Sequence, residues 1–231
     1  METKLQRLGA WCAAIYLGMF FVGWAGLGGY LPPPSPEAGA TEIAAFYGQN
    51  TNILRAGLVL VQLSLIFYFP WIAVLSAQIK RIPGVSPVCT YTQLIGGVTG
   101  IVALILPYFF WVAASFRPER DPALMLLLND LGWLILSMTI APFAAQNLAV
   151  AFAIFSDKRP EPAFPRWFAY ASLWVAFTFL PAGFILFFKS GPFSWRGLIG
   201  FWVPLGAFGV WTLCMMTLVL KAIKRQEMTG T

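Results

Sequence analysis

Six long apolar stretches, joined by short polar or Pro-rich connections, leave this chain few ways to fold. They run from about Leu8 to Gly28, Asn52 to Gln78, Val88 to Ala114, Met125 to Phe155, Trp167 to Phe188 and Leu198 to Leu220. A helix rises about 1.5 Å per residue, so about 20 residues cross about 30 Å of hydrocarbon, and each stretch meets that length. None alternates as a barrel strand would. Only 10% of the 231 residues are charged, against about 25% in a soluble domain. So little charge cannot coat a water-facing surface, and the excess apolar area must face lipid. The expected fold is all-α: one six-helix transmembrane domain over residues 1–231.

Orientation follows from the cations. With the N-terminus inside, the inner segments hold ten Lys and Arg (Lys4, Arg7, Lys80, Arg81, Lys158, Arg159, Arg166, Lys221, Lys224, Arg225) and the outer ones five (Arg55, Arg117, Arg120, Lys189, Arg196). Positive charge is retained on the cytoplasmic side, so both termini are expected in the cytoplasm of a bacterial inner membrane. Lys4 and Arg7 before the first stretch, and Ala38-Gly39-Ala40 after it, suggest a signal peptide. The apolar run is long for one, and a Pro-rich turn separates it from that site, so a retained span is expected.

The first outer loop, "YLPPPSPEAGATEIAAFYGQN", should start extended and then turn into a short amphipathic helix, with Ser35 as N-cap and Pro36 at its first position. Ile43, Phe46 and Tyr47 would share its apolar face. Trp71, Trp111, Trp167 and Trp195 fall near span ends, as an interfacial belt would place them. Thr92, Gly96 and Gly100 in the third span, and Ala10, Ala14 and Gly18 in the first, put small residues four apart for close packing. Pro70, Pro107, Pro142, Pro181 and Pro204 lie inside five of the spans and should kink them, favouring a bundle with an internal cavity.

The fourth stretch is longer than the bilayer requires and carries Asn129, Asp130, Gln146 and Asn147. Asp130 can be read as a helix-end carboxylate favoured by the helix dipole. It can also be read as half of a functional pair, because a carboxylate at lipid depth needs a cation or water. Arg55 opens the second span at the same expected depth. Gln62, Ile66, Phe69 and Ala73 follow it at offsets that keep one helical face, taken to point inward. Asn129 and Asn147 are five whole turns apart and would face the same way. Arg55, Asp130, Asn129, Gln62 and Asn147 are thus the candidate polar mouth or ligand contacts. Arg117, Glu119, Arg120 and Asp121 would pair among themselves at the surface or ring the same entrance.

Histidine is absent, and Cys12, Cys89 and Cys214 have neither metal-ligand nor disulfide spacing. No HExxH, GxSxG, CxxC or phosphate loop appears. The sequence therefore points to a non-enzyme with no cofactor and no metal. The basic residues lie in short runs between spans rather than on one soluble face, which argues against nucleic acid. The expected partners are the lipid bilayer, a small and largely apolar ligand, and a second copy or another membrane subunit. Two readings stay open: binding or passage of a small apolar molecule, or a structural, regulatory or sensory subunit acting through a partner.

The segments "RPERDPALMLLLNDLGW", "FPRWFAYASLW" and "FFKSGPFSW" together resemble a family of uncharacterised multi-pass bacterial membrane proteins. The resemblance implies an integral membrane protein and no particular activity.

Overall fold

The computed structural model describes residues 2–229, whose regular secondary structure is all helix, with no strand among them. The elements are α1 (Glu2–Phe21), continued by a π-helical turn (Val22–Leu27); α2 (Ala40–Gln49); α3 (Thr51–Lys80); α4 (Pro87–Phe116); α5 (Pro122–Met138); α6 (Ala141–Ser156); α7 (Arg166–Phe179), continued by a 3-10 helix (Leu180–Phe187); and α8 (Val203–Thr229), preceded by a π-helical turn (Leu198–Trp202). They compose six helices long and apolar enough to cross a membrane, with α5 and α6 together forming the fourth. Six such helices fit the multi-pass membrane protein expected from the apolar stretches.

α3 lies at the centre of one half of the bundle, packed on α1 and α4, while α6 lies between α4 and α7, and α8 closes against α1 and α7. The small-residue stripe of α4 works as expected. A side chain at Gly96 would meet the Pro142 carbonyl at 2.8 Å, and one at Gly100 would meet the Phe143 ring at 3.0 Å. The α1 stripe is used only in part, since Ala10 is buried and Gly18 faces open space.

Apolar association gives little direction between helices in lipid, so buried polar pairs help fix their register. Ser76 of α3 donates to Gln93 of α4, Gln78 to both Gln6 and Gln226, and Trp211 of α8 to Ser172 of α7 at 2.9 Å. At the same end Arg7 pairs with Glu227. Asp157, just past α6, accepts from both Arg159 and the Ala163 amide. The Arg159 hydrogen bonds outweigh burial and hold its carboxyl down to about 2.

Three expectations change. The loop helix starts at Ala40, with Gly39 rather than Ser35 at its N-cap position. Ser35 instead closes a tight turn, accepting from the Glu37 amide on its hydroxyl and from the Ala38 amide on its carbonyl. Ile43 and Tyr47 are buried, as the shared face required, so α2 caps the bundle. Trp167 is exposed, but Trp71, Trp111 and Trp195 are buried and form no interfacial belt. Pro70 and Pro107 sit inside unbroken helices. The other three prolines mark real interruptions: Pro142 follows a break at Thr139–Ile140, Pro181 opens the 3-10 segment, and Pro204 follows the π turn.

Candidate functional site

Four of the six spans lose regular α geometry, and all four interruptions meet at one place. A cavity of about 90 Å³ is lined by Phe21 and Trp24 at the π turn of the first span, Ser137 and Thr139 at the break of the fourth, Ala182 in the 3-10 segment of the fifth, and Gly200 and Phe201 in the π turn of the sixth. Tyr16, Leu104, Phe143 and Phe208 complete much of its wall.

Each interruption has a local cause. Proline lacks an amide hydrogen, and its ring clashes with the carbonyl four residues back. For Pro142 that carbonyl belongs to Met138. The chain answers with a tight turn centred on Thr139 (φ −79°, ψ 70°), in which the Ile140 amide donates to Met138 at 2.8 Å. The Thr139 hydroxyl turns back to the Ile135 carbonyl at 2.6 Å. In the first span the π turn is packed backbone to backbone against α3, where Gly23 and Gly57 touch. π turns and broken helices in membrane proteins are tolerated where they line a cavity.

The walls are almost wholly apolar, and no charged residue belongs to them. Three polar side-chain atoms on lining residues nevertheless lack a hydrogen-bond partner: the Tyr16 hydroxyl, Trp24 Nε1 and the Ser137 hydroxyl. Buried polar atoms are nearly always paired, so such a group signals a water or a ligand atom as its partner.

A slab of aromatic rings separates the cavity from α2. Trp24 stacks on Tyr30 with centroids 6.5 Å apart, Tyr30 on Trp111 at 4.5 Å, and Trp111 tilts against Trp133 at 5.1 Å. Phe201 closes it against Trp24 and Trp133. Gly132 lets the Trp111 indole lie directly on the α5 backbone. On the α2 side, the Tyr47 hydroxyl donates to Asn129 Oδ1 at 3.2 Å. Burial pushes the Tyr47 phenol far above its ordinary range; the adjacent Tyr30 hydroxyl pulls the other way, and the charge of Asp130 adds to the rise. Tyr47 therefore stays protonated and keeps its donor.

Of the residues singled out in the sequence, Asn129 is fully buried under α2 and Asp130 adjoins it, half-buried, accepting a long hydrogen bond from Asn129 Nδ2 at 3.5 Å. The expected Arg55–Asp130 pair does not form. Arg55 donates through Nε and an Nη to the Ser115 carbonyl at 3.0 and 2.7 Å, and to Phe116 at 3.0 Å. These are the last carbonyls of α4, unpaired within the helix and at the negative end of its dipole, so they attract the cation. Arg120 reaches back to Ala113 in the same way at 2.8 Å, and Asp121 caps α5 through the Ala123 amide rather than pairing with its neighbours.

Gln62, with Ile66, Phe69 and Ala73, faces outward, the reverse of the inward direction expected. Asn147 is buried, donating to the Phe143 carbonyl at 2.9 Å. The break at Thr139–Ile140 lies between it and Asn129, so the two no longer sit on one continuous helix. The expected mouth is thus dispersed, with only Asn129 and Asp130 side by side. The lining residues Trp24, Ser137, Thr139 and Ala182 were missed, although Pro142, Pro181 and Pro204 stood beside the positions that mattered.

The Arg55 geometry carries a prediction. Arg55→Met removes a charged cap from α4 and is expected to cost about 1–2 kcal/mol, read as a lower thermal midpoint of the purified protein. In a double-mutant cycle with Asp130→Asn the two losses should add, because the residues share no contact. Comparison with family models, curated proteins and solved structures finds no match to this chain.

Proposed function

We propose that this protein binds a small, largely apolar molecule within the membrane, in the cavity where its four interrupted spans meet. The observation that carries this reading is the convergence itself. Irregular backbone at membrane depth is costly unless it borders a cavity, and here every non-α stretch of the spans borders the same one.

The lining also narrows the chemistry. A charged group would enter without a counter-ion, which the apolar walls make prohibitive. Trp24 Nε1 can only donate, and the hydroxyls of Tyr16 and Ser137 can donate as well as accept. An apolar ring or chain end bearing a carbonyl or ether oxygen would satisfy one or more of them. The size sets a limit: an engineered cavity of about 150 Å³ takes benzene, so about 90 Å³ takes a smaller moiety such as a short chain end, with any remainder lying between the helices. Passage through the bundle remains part of the reading as a sequel to binding. The polar mouth does not, since Arg55 is committed to α4.

The test uses the full chain extracted into lipid-containing polymer discs. Organic extraction and mass spectrometry of the wild-type protein should recover an apolar, oxygen-bearing compound absent from discs without the protein. Ala182→Leu fills the cavity from the 3-10 segment. It should reduce recovery by about tenfold or more while the thermal midpoint holds or rises, as cavity-filling changes do. Equal recovery from Ala182→Leu removes this site as the binding site.

A further inference from the structure

The outward stripe of α3 carries a polar group for which a lipid-facing surface has no use. Val59, Gln62, Ile66, Phe69 and Ala73 are all exposed and follow one another at steps of three and four residues. They form one face of the helix, and Gln62 is the polar residue on it. Gln62 sits about 16 Å from the Thr51 end of α3 and about 27 Å from the Lys80 end. This depth lies inside the hydrocarbon, beyond the reach of headgroups or water for so short a side chain. Its amide makes no hydrogen bond among the described residues.

A carboxamide offers two donors and an acceptor, and a lipid chain offers it nothing. Leaving these groups unpaired in hydrocarbon is unfavourable, and a hydrogen bond to a neighbouring helix relieves it. The occupant must therefore be protein, at that depth, with a complementary polar group opposite. A second copy of this chain supplies one without any further assumption. Across a two-fold axis each Gln62 meets the partner's Gln62, and each amide donates to the other's oxygen. Such an interface is self-complementary by symmetry, and a lone polar residue in an apolar seam fixes its register.

We propose that the protein is a homodimer joined along α3, with the two Gln62 amides hydrogen-bonded to each other at the centre of the interface. This inference is independent of the cavity, whose lining includes no residue of α3.

The experiment uses full-length protein with Cys12, Cys89 and Cys214 changed to Ala, reconstituted at low density in phosphatidylcholine vesicles and oxidised. Ile66→Cys, one turn from Gln62, should give a disulfide-linked homodimer, and Ile95→Cys, on the exposed face of α4, should not. Adding Gln62→Leu to Ile66→Cys should weaken dimerisation about three- to thirty-fold, the range measured for one polar contact between membrane helices. Gln62→Asn should restore most of it. Because leucine suits lipid, the monomer should keep its thermal midpoint, which separates lost association from lost folding. Undiminished cross-linking in the Gln62→Leu background, equal cross-linking at Ile95→Cys, or no homodimer from Ile66→Cys would each overturn the proposal. So would capture of a different polypeptide by Ile66→Cys in native membranes in place of the homodimer.

Discussion

Gly57→Ala is expected to destabilise the fold severely, although it adds a single methyl group. A Cβ at Gly57 would overlap the Gly23 carbonyl oxygen and lie 2.7 Å from the Gly28 amide nitrogen. Both are backbone atoms of the π turn that ends the first span, so no side chain can rotate away to make room. The contact is reciprocal, since a Cβ at Gly23 would come within 2.6 Å of the Gly57 carbonyl. Relief requires α1 and α3, neighbours along most of their length, to separate. Overpacking a membrane or soluble core costs about 1–3 kcal/mol where side chains can adjust; here about 3 kcal/mol or more is expected. Gly18→Ala provides the contrast, because its Cβ meets nothing within 4 Å. It should be neutral or slightly stabilising, given the higher helix propensity of alanine. Thermal denaturation followed by size-exclusion chromatography separates the outcomes. A Gly57→Ala protein as stable as Gly18→Ala would mean that the π turn does not rest on α3.

Gly132→Ala should cost nearly as much for a different reason. Its Cβ would lie 2.8 Å from Cδ1 and Cε2 of Trp111, and closer still to Nε1. The obstacle is now a side chain, but a buried one held against Tyr30 and Trp133. Moving it disturbs the whole aromatic slab, and a loss of about 3 kcal/mol is expected. Unlike the first case, this one has a suppressor. Trp111→Phe removes the five-membered ring that collides, so the double variant should be more stable than Gly132→Ala alone. A positive coupling in the double-mutant cycle, measured by thermal denaturation, is the expected result. Simple additivity would show that the indole does not pack on the α5 backbone.

These two contacts show how unevenly the sequence reveals the fold. The six spans were legible because lipid imposes length and polarity on every crossing segment, whatever its neighbours. The stripe on α4 was legible because small residues four apart have one main use in such a bundle. The direction of the α3 stripe was not. Arg55, Gln62, Ile66, Phe69 and Ala73 do share a face, as the helical period required. In lipid, however, both faces of a helix are apolar, so the period fixes which residues align and not where they point. Arg55 found its anionic partner in the carbonyls at the end of α4, which exist only once that helix is known to stop at Phe116. The continuous helix that would join Asn129 to Asn147 is broken at Thr139, where Pro142 forces the chain to turn. The π turns in "VGWAGL" and "LIGFW" carry no comparable signal beyond their glycines.

The aromatic slab under α2 sets the terms on which any guest is met. Three indoles and Tyr30 stand between α2 and the cavity, with α2 latched to Asn129 through Tyr47. If the cavity takes a guest as proposed, the slab bars the direct route from the α2 side, and the route left to the guest is through the bilayer and between helices. Its apparent affinity, referred to the aqueous phase, should then scale with its oil–water partition coefficient, and two guests of equal fit should be told apart by their solubility in lipid.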